Sequence, residues 1–386
     1  MELPQTERKI YHKANSFVGM RGQTAGHADV ANRIEALLKT VVQGDNYHNQ
    51  IVRTACEDAL DLPVSQTRKV KFQLHPHVIE EIRRLNEGEL SRYLFYRYRY
   101  DVFPVEQKID DYPPCLQIEP TSICNYRCVF CYQTDASFTS NKSGFLGQMS
   151  LDTFKKVVDE AKGQCEAITL ASRGEPLMCK DFGKMLEYLQ GKFLAVKINT
   201  NAWFLDEKNI HAILQSGANT LVFSADSASE PLYSQLRVRG SLERVLKNIR
   251  LFRQIKSEQY SDSRMITRVS GVRFTKEQNL DDMDGLWGEL VDQVAFVDYN
   301  PWENVYDCPK NGMETPCSDL WRRLFVWWDG VVNPCDVDYK SKLAIGNVAT
   351  SSISELWRGE KYQQYREAHA AQKRSGLSPC DRCTVV

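Results

Sequence analysis

The chain has 386 residues, of which 42% are hydrophobic and 26% charged, and its formal net charge is -1. This balance provides no excess of positive charge for nucleic acid or a membrane surface, so neither is expected as a partner. The sequence has no run of about 18 apolar residues for a membrane span, and its first residues lack the apolar core of a signal peptide. We therefore expect a cytoplasmic protein of two or three domains.

Residues 1–112 are predicted to form a helical extension. Apolar residues recur at helical spacing over residues 27–42 and again over residues 78–94. The run Asp111-Tyr-Pro-Pro marks a boundary, because proline ends helices. This part has no motif that carries chemistry, so we interpret it as a cover for the main domain rather than as a module that binds a partner.

Residues 113–304 alternate between strand-like and helical segments. The helical segments are amphipathic, as at residues 150–163, 182–189, 207–216 and 241–255. This α/β alternation predicts a parallel sheet with helical crossovers, and six units in about 190 residues fit a partial (β/α)6 barrel of the TIM type. Active sites of such barrels lie at the carboxyl ends of the strands. The predicted strands are Leu116–Glu119, Ala167–Ala171, Ala195–Asn199, Thr220–Ser224, Ile266–Val272 and Gln293–Val297.

Directly after the first predicted strand, Cys124, Cys128 and Cys131 form a C-x3-C-x2-C triplet. Three thiolates can hold a [4Fe–4S] cluster by three of its irons and leave the fourth open to a small molecule. The alternative is a zinc site, but the next thirty residues contain no fourth Cys or His to complete it. The triplet, with Phe130 before its third cysteine, resembles the signature of the radical S-adenosylmethionine (SAM) enzymes. The resemblance implies a SAM-binding [4Fe–4S] cluster, the same barrel fold, and cleavage of SAM to a 5′-deoxyadenosyl radical.

After the second predicted strand, the run Ser-Arg-Gly-Glu-Pro contains Gly174, Glu175 and Pro176. It resembles the Gly-Gly-Glu-type motif with which radical SAM enzymes hold the amino group of SAM, although Arg173 replaces the first glycine. A glycine lets backbone carbonyls approach an ammonium group closely. The alternative is an ordinary turn, and the position one strand after the triplet favours the SAM motif.

Polar residues at later strand ends are further candidates for SAM binding. Small polar side chains at a barrel mouth suit ribose hydroxyls or the SAM carboxylate, and Arg268 on the fifth strand is a candidate partner of that carboxylate. Asp226 has an equal alternative as the cap of the following helix. The strand-end candidates are Asn199, Asn201, Ser224 and Asp226.

A second set of cysteines follows in residues 305–386. With Gly330 before its second member, a later Gly346-Asn347 and a closing C-x2-C, it resembles the SPASM/Twitch extension of radical SAM enzymes. Four cysteines match the shorter Twitch form, which implies one auxiliary [4Fe–4S] cluster with every iron closed, suited to carrying an electron or bracing the fold. A four-cysteine zinc site is the alternative. The implied ligands are Cys317, Cys335, Cys380 and Cys383.

The intervals of 18, 45 and 3 residues between these four cysteines are similar to those of the 2-deoxy-scyllo-inosamine dehydrogenase family. This resemblance implies oxidation of an alcohol carbon to a ketone, with the auxiliary cluster as electron acceptor. The implied substrate is a small molecule, namely a sugar, an aminocyclitol or a nucleotide sugar. The implied reductant is of the flavodoxin or ferredoxin type. The N-terminal extension departs from that family and leaves the substrate open.

Other outcomes also stay open. Epimerisation would need a hydrogen donor, for which Cys308 is the candidate, although a packed thiol is its plainer interpretation. Maturation of a ribosomal peptide is a second enzymatic alternative, but the extension lacks the paired strands of a leader-binding domain. A simple electron carrier would have no use for an open iron. Dehydrogenation needs a general base, and the candidates near the sixth strand are Asp298, Tyr299 and Glu303.

Overall fold

The structure is a computed structural model and describes residues 10–13, 16–22, 26–41, 44–62, 71–301 and 303–386. Within these residues all strands belong to one ten-stranded sheet. The strands are β1 (Phe17–Gly22), β2 (Cys115–Ile118), β3 (Ala167–Leu170), β4 (Ala195–Thr200), β5 (Thr220–Ser224), β6 (Ile266–Arg273), β7 (Gln293–Asp298), β8 (Leu324–Val326), β9 (Val331–Asn333) and β10 (Gly346–Asn347).

The sheet has the order β1-β7-β6-β5-β4-β3-β2-β8-β9-β10. Strands β2 to β7 are parallel neighbours in chain order, as repeated strand–helix units require. These six strands match the predicted ones to within one or two residues at each end, so the predicted α/β fold with a parallel sheet is confirmed. Two additions were not predicted: β1 joins β7 in antiparallel pairing, and β8 joins β2 in parallel pairing.

Helices connect the strands and cover the outer face of the sheet. Their first residues follow caps such as Ser150, Asp206 and Ser241, whose side chains accept hydrogen bonds from the first turn. No helix of the described ranges is long and apolar enough to cross a membrane. The helices are α1 (His27–Val41), α2 (Tyr47–Ala59), α3 (Pro76–Arg83), α4 (Glu87–Glu106), α5 (Ala136–Thr139), α6 (Leu151–Ala161), α7 (Phe182–Leu189), α8 (Glu207–Gln215), α9 (Glu230–Leu236), α10 (Leu242–Gln259), α11 (Leu280–Trp287), α12 (Asp319–Arg322), α13 (Ile353–Arg358) and α14 (Glu360–Ala370).

The N-terminal extension covers the amino end of the parallel strands. Helices α1 to α4 share a core that also takes in Cys115 and Ala167, the first residues of β2 and β3. The predicted helix over residues 78–94 is in fact two helices, because Asn86 and Glu89 form a capping box that starts α4. The predicted helix over residues 27–42 corresponds to α1, and residue 42 lies outside the described residues. The boundaries at residues 112 and 304 stay predictions.

The C-terminal region continues the sheet and also meets the start of the chain. Strands β8 to β10 extend the edge beyond β2. Tyr11 N donates to Thr384 O at 3.0 Å, and Val386 N donates to Tyr11 O at 2.9 Å. Segments from opposite ends of the sequence therefore pair beside Cys380 and Cys383.

Candidate active site

The cysteine triplet lies on the loop after β2, at the carboxyl end of the parallel strands. Two backbone hydrogen bonds of 3.0 and 3.1 Å join this loop to the end of α9 and the residues after it. Cys128 is buried, and Cys124 and Cys131 are partly buried. Burial is the main cause that raises the thiol pKa of all three, to about 12 for Cys131, and the charge of Cys128 raises the pKa of the other two further. The sulfurs therefore lie within electrostatic reach of one another, as the ligands of one cluster must.

The glycine of the predicted SAM motif is required by close packing against the cysteine loop. A Cβ atom on Gly174 would lie 2.3 Å from Thr121 O and 2.6 Å from Ile123 O. The next residue continues the contact, since Glu175 N donates to Ile123 O at 2.9 Å. Only a residue without a side chain fits this cradle, so the motif and the cysteine loop form one unit.

The Glu175 carboxylate organises two strand ends. It accepts hydrogen bonds from Thr200 Oγ1 at 2.5 Å, Asn201 N at 2.7 Å and Leu177 N at 3.2 Å. Burial raises its pKa to about 7, although these three donors favour the charged form. Asn201 Nδ2 in turn donates to Asn125 Oδ1 at 2.9 Å and lies 4.0 Å from Cys124 Sγ. The structure therefore brings Gly174, Glu175 and Asn201 together with the triplet.

Asp226 serves a partner that the sequence did not indicate. Its Oδ1 accepts a hydrogen bond from Val272 N at 2.6 Å, and its Oδ2 pairs with the Arg237 guanidinium. Arg237 Nη1 donates to Cys128 Sγ at 3.6 Å, and its guanidinium lies 5.3 Å from the Phe130 ring centre. Asp226 therefore contacts the cysteine loop through Arg237, and the following helix begins after Ser229 rather than after Asp226. A role of Asp226 in ribose binding stays a prediction. Arg237 directly follows α9 and belongs to no sequence motif. Its role beside the cysteine loop is therefore visible only in the three-dimensional structure.

The remaining SAM candidates are placed differently. Pro176 is buried and opens a short turn directly after Glu175. Ser224 ends β5 and is half-buried, and Asn199 on β4 has a buried side-chain oxygen without a hydrogen-bond partner among the described residues. Arg268 lies near the start of β6, where its Nε donates to Gln293 Oε1 at 2.7 Å. Its side chain therefore lines the amino end of the barrel, far from the triplet.

The three base candidates have distinct environments. Asp298 is 48% exposed and pairs with Arg273 at 2.7 Å. Tyr299 donates from its hydroxyl to Glu303 Oε1 at 2.6 Å, and its ring lies 4.7 Å from that of Phe274. Glu303 is only 9% exposed, its Oε2 is buried without a hydrogen-bond partner among the described residues, and its charge acts on Cys131. Burial raises the pKa of Glu303, and a raised pKa makes a carboxylate a stronger proton acceptor.

Cys308 is buried and follows the three base candidates in the chain. Its thiol donates to Pro301 O at 3.8 Å, and its carbonyl accepts a hydrogen bond from the Arg382 guanidinium. The thiol is thus engaged with the chain that leads from β7 to Glu303.

Arg173, the departure from the family motif, connects the barrel to the C-terminal region. Its Nε and Nη2 donate to the two oxygens of Glu119 at 2.7 and 2.6 Å. Its Nη1 donates to Tyr339 O at 2.8 Å, and its guanidinium lies 4.3 Å from the Trp327 ring centre. A bidentate buried pair of this kind fixes both partners. The arginine therefore joins the SAM motif to the second cysteine region, which glycine could not do.

The second cysteine set lies in a buried environment with charges of both signs, since Asp319 and Asp338 raise thiol pKa values there and Arg374 lowers them. Cys317, Cys335, Cys380 and Cys383 act on one another electrostatically, and burial raises the pKa of each thiol. The buried Arg374 guanidinium lowers the pKa of Cys317, Cys380 and Cys383 and donates to Cys383 O at 3.2 Å. Positive charge at this place stabilises a thiolate-bound cluster, since coordinating thiols are deprotonated.

The N-terminal segment contributes a second cation there. Lys13 pairs with Asp319 and, at 2.7 Å, with Asp336, and its charge also acts on Cys317 and Cys383. The sequence did not indicate this residue, which precedes Cys317 by most of the chain.

Both cysteine sets have the number of thiols that an iron–sulfur cluster needs. Three thiolates would hold a [4Fe–4S] cluster with one open iron, and four would close every iron. In the described part of the chain, no three His, Cys, Asp or Glu side chains form a group that could hold one metal ion.

Comparison with known proteins identifies the families of the two cysteine regions. Residues 118–273 match the model of the radical SAM superfamily, and residues 317–384 match that of the SPASM iron–sulfur cluster-binding domain. The chain is 22% identical to the S-adenosyl-L-methionine-dependent 2-deoxy-scyllo-inosamine dehydrogenase of Niallia circulans, over 70% of this chain and 92% of that protein. It is also 22% identical to the tungsten-containing aldehyde ferredoxin oxidoreductase cofactor-modifying protein of Pyrococcus furiosus, over 65% of this chain and 82% of that protein.

Solved structures agree on the fold. The crystal structure of BtrN in complex with AdoMet and 2-DOIA superposes with a TM-score of 0.50 at 18% identity, and covers 72% of this chain and 95% of that one. The radical SAM domain implies SAM and a [4Fe–4S] cluster, and the SPASM domain implies further iron–sulfur binding. The chain is therefore a radical SAM enzyme with a C-terminal SPASM domain.

Proposed function

We propose that this enzyme oxidises a secondary alcohol of a sugar, aminocyclitol or nucleotide sugar to a ketone. The observation that carries the proposal is Glu303, a buried carboxylate beside the cysteine triplet with one oxygen held by Tyr299 and the other without a partner among the described residues. Dehydrogenation needs such a base, because the substrate must lose a hydroxyl proton as well as a hydrogen atom.

The predicted residues take separate roles in this reaction. Cys124, Cys128 and Cys131 would hold the cluster, which together with SAM would supply the radical that removes the carbinol hydrogen atom. Glu303 Oε2 accepts the hydroxyl proton, and Tyr299 orients the carboxylate through Oε1. One electron then remains to be removed, and the site of Cys317, Cys335, Cys380 and Cys383 is the proposed place of its acceptor. Substrate loses two hydrogens in all, and a flavodoxin- or ferredoxin-type protein provides the reducing electron that cleaves SAM.

Two further points support the alcohol substrate. The similarity to the Niallia circulans dehydrogenase extends over 92% of that protein and 70% of this chain. The second region has four cysteines, enough to close one cluster completely, and such a cluster suits electron transfer rather than substrate binding.

The test is anaerobic turnover of the reconstituted, reduced enzyme with a panel of aminocyclitols, amino sugars, nucleotide sugars and short peptides. We expect one carbohydrate class to stimulate 5′-deoxyadenosine formation and to give a product lighter by two hydrogen atoms. A product of unchanged mass, formed by wild type but not by Cys308→Ala, would replace dehydrogenation by epimerisation. Stimulation by peptides alone would replace it by peptide maturation.

A further inference from the structure

A cavity of about 770 Å³ lies at the amino end of the barrel, opposite the cysteine triplet. The first residues of several parallel strands line it, and helices α3 and α4 of the extension and α12 of the C-terminal region also contribute to its wall. We call it the basal cavity and define it by Tyr96, Lys197, Arg268, Arg322 and Arg323. Its volume is that of a site for a small organic molecule.

The basal cavity has an excess of positive charge. Nine lysine and arginine residues line it in the described part of the chain, against four aspartate and glutamate residues. Most of these cations form ion pairs with carboxylates of the lining or just outside it, namely Lys13, Arg84, Arg92, Arg97, Arg264 and Arg323. Lys197, Arg268 and Arg322 have no ion pair among the described residues, so their charge is not balanced by a paired carboxylate.

Three cations of the cavity have donors without a protein partner. Lys197, on β4, is half-buried and has no hydrogen-bond or ion-pair partner among the described residues. Arg268 is 6% exposed and uses Nε on Gln293, but its Nη2 is buried without a partner in the described structure. Arg322 is 2% exposed, and its Nε and Nη2 are unpartnered in the same sense.

These cations line the same cavity and lie close enough to act on one another electrostatically. The pKa of Lys197 is lowered to about 8, first by burial and then by the charge of Arg323, and Arg268 contributes in the same direction. His77 lies near the same charges, since its pKa is lowered to about 2 by burial and by the charges of Arg97, Arg268 and Lys197. Ordered water can satisfy a donor, but it cannot neutralise a buried charge.

We propose that the basal cavity binds a small molecule that carries a multiply charged oxyanion, a phosphate or carboxylate group. Planar guanidinium groups suit the paired oxygens of such a group, and a lysine adds a point charge. Aromatic walls such as Tyr96 leave room for an organic part beside the anion. This site is separate from the SAM site, and it stands whether or not alcohol oxidation is the reaction.

Pyrophosphate and citrate are the probes for the two sources of this chemistry. Calorimetric titration of the reconstituted full-length enzyme should show saturable binding of at least one probe, with one molecule bound per chain. Binding of pyrophosphate alone would assign a phosphate ligand, and binding of citrate alone a carboxylate ligand. If neither probe binds at millimolar concentration, the proposal is overturned.

Substitution of Lys197 then tests the place of binding. Lys197→Met should weaken the binding at least tenfold, while Lys197→Arg, which keeps the charge, should retain it. The matched control is Arg253→Met on the exposed face of α10, which should bind like wild type. Iron content and melting temperature check that each variant is folded. Equal affinity of wild type and Lys197→Met would place the anion elsewhere and contradict the proposal.

Discussion

Central cations at the two ends of the barrel differ in their pairing. At the carboxyl end, Arg173 and Arg237 each have a carboxylate partner, and Glu175 receives three hydrogen bonds. At the amino end, Lys197 and part of Arg268 have no such partners among the described residues. Arg173 and Arg237 are therefore balanced before a cofactor binds, whereas Lys197 and Arg268 would be balanced by the ligand proposed for the basal cavity. Substitutions at the two ends should therefore have effects on activity and on the free energy of unfolding that differ in size and in sign.

The largest effect is expected at the triplet. Cys128→Ala removes one of three thiolates that hold the SAM cluster, so 5′-deoxyadenosine formation should fall to the level of a protein-free control. Iron analysis should show a loss of about four irons per chain. Cys56→Ala, in a buried cysteine of α2 outside both sets, is the matched control and should keep its iron and its activity. Retained SAM cleavage in Cys128→Ala would mean that this cysteine is no ligand.

Glu303→Gln should lower ketone formation by about 100-fold, the usual contribution of a general base. Burial raises the pKa of Glu303, and a base acts when deprotonated, so the wild-type rate should rise with pH through that raised pKa. The variant should lack this acidic limb. Asp298→Asn, which alters only an exposed pair with Arg273, is the control and should keep the pH profile. A Glu303→Gln enzyme with the wild-type rate would place the base elsewhere.

Arg237→Met should destabilise the protein, because it leaves Asp226 as a buried charge without its counter-ion. Breaking such a pair costs about 3 kcal/mol or more, measurable as a lower midpoint in urea unfolding. Adding Asp226→Asn removes the stranded charge and leaves an oxygen for Val272 N, so part of the loss should return. If the single variant is as stable as wild type, the pair does not contribute as described.

Lys197→Met likewise replaces a cation by methionine, but at the amino end of the barrel. It should raise the free energy of unfolding, whereas Arg237→Met should lower it. The folded-state pKa of Lys197 is about 8, below its usual value, so the charged amine destabilises the fold at neutral pH. Its removal should stabilise the anion-free protein by on the order of 1 to 3 kcal/mol. In wild type this penalty should disappear as pH rises from 8 towards the usual lysine pKa, and urea midpoints across that range check it. A destabilised variant would contradict the contrast between the two ends.

The smallest effect is expected for His77→Gln. Burial, and next the charge of Arg97, lower the pKa of His77 to about 2, and His77 Nε2 lies 3.0 Å from Arg97 Nη2. The unfolded chain therefore takes up the proton first, and stability is lost as pH falls below about 6.5. Between pH 7.5 and 5.5, the free energy of unfolding measured in urea should fall by about 1 kcal/mol less in the variant than in wild type. Identical losses would show that His77 is not held neutral.

Much of the barrel could be predicted because its information is local. Strands β2 to β7 and helices such as α7 (Phe182–Leu189) agree with their apolar periodicity. The split between α3 and α4 was missed because the apolar spacing continues across it, although Asn86 and Glu89 form the capping signal. Strands β1 and β8 are short and exist only through their partners, so periodicity does not indicate them.

The candidate site divides in the same manner. The cysteines and Gly174 stand in motifs whose spacing is fixed by chemistry, and sequence alone indicates them. Arg237 and Lys13 act on those cysteines through pairings with distant residues, and no motif contains them. Arg268 shows the reverse case: a strand position is clear from sequence, but the direction in which a long side chain extends depends on the tertiary surroundings.

The pairing of Tyr11 with Thr384 and Val386 has a consequence for biosynthesis. Residues 11–13 and residues 384–386 are separated by most of the chain, and both must be made before this flank of the auxiliary cysteines can form. We therefore expect the auxiliary site to become competent for iron–sulfur loading only after residue 386 has been synthesised.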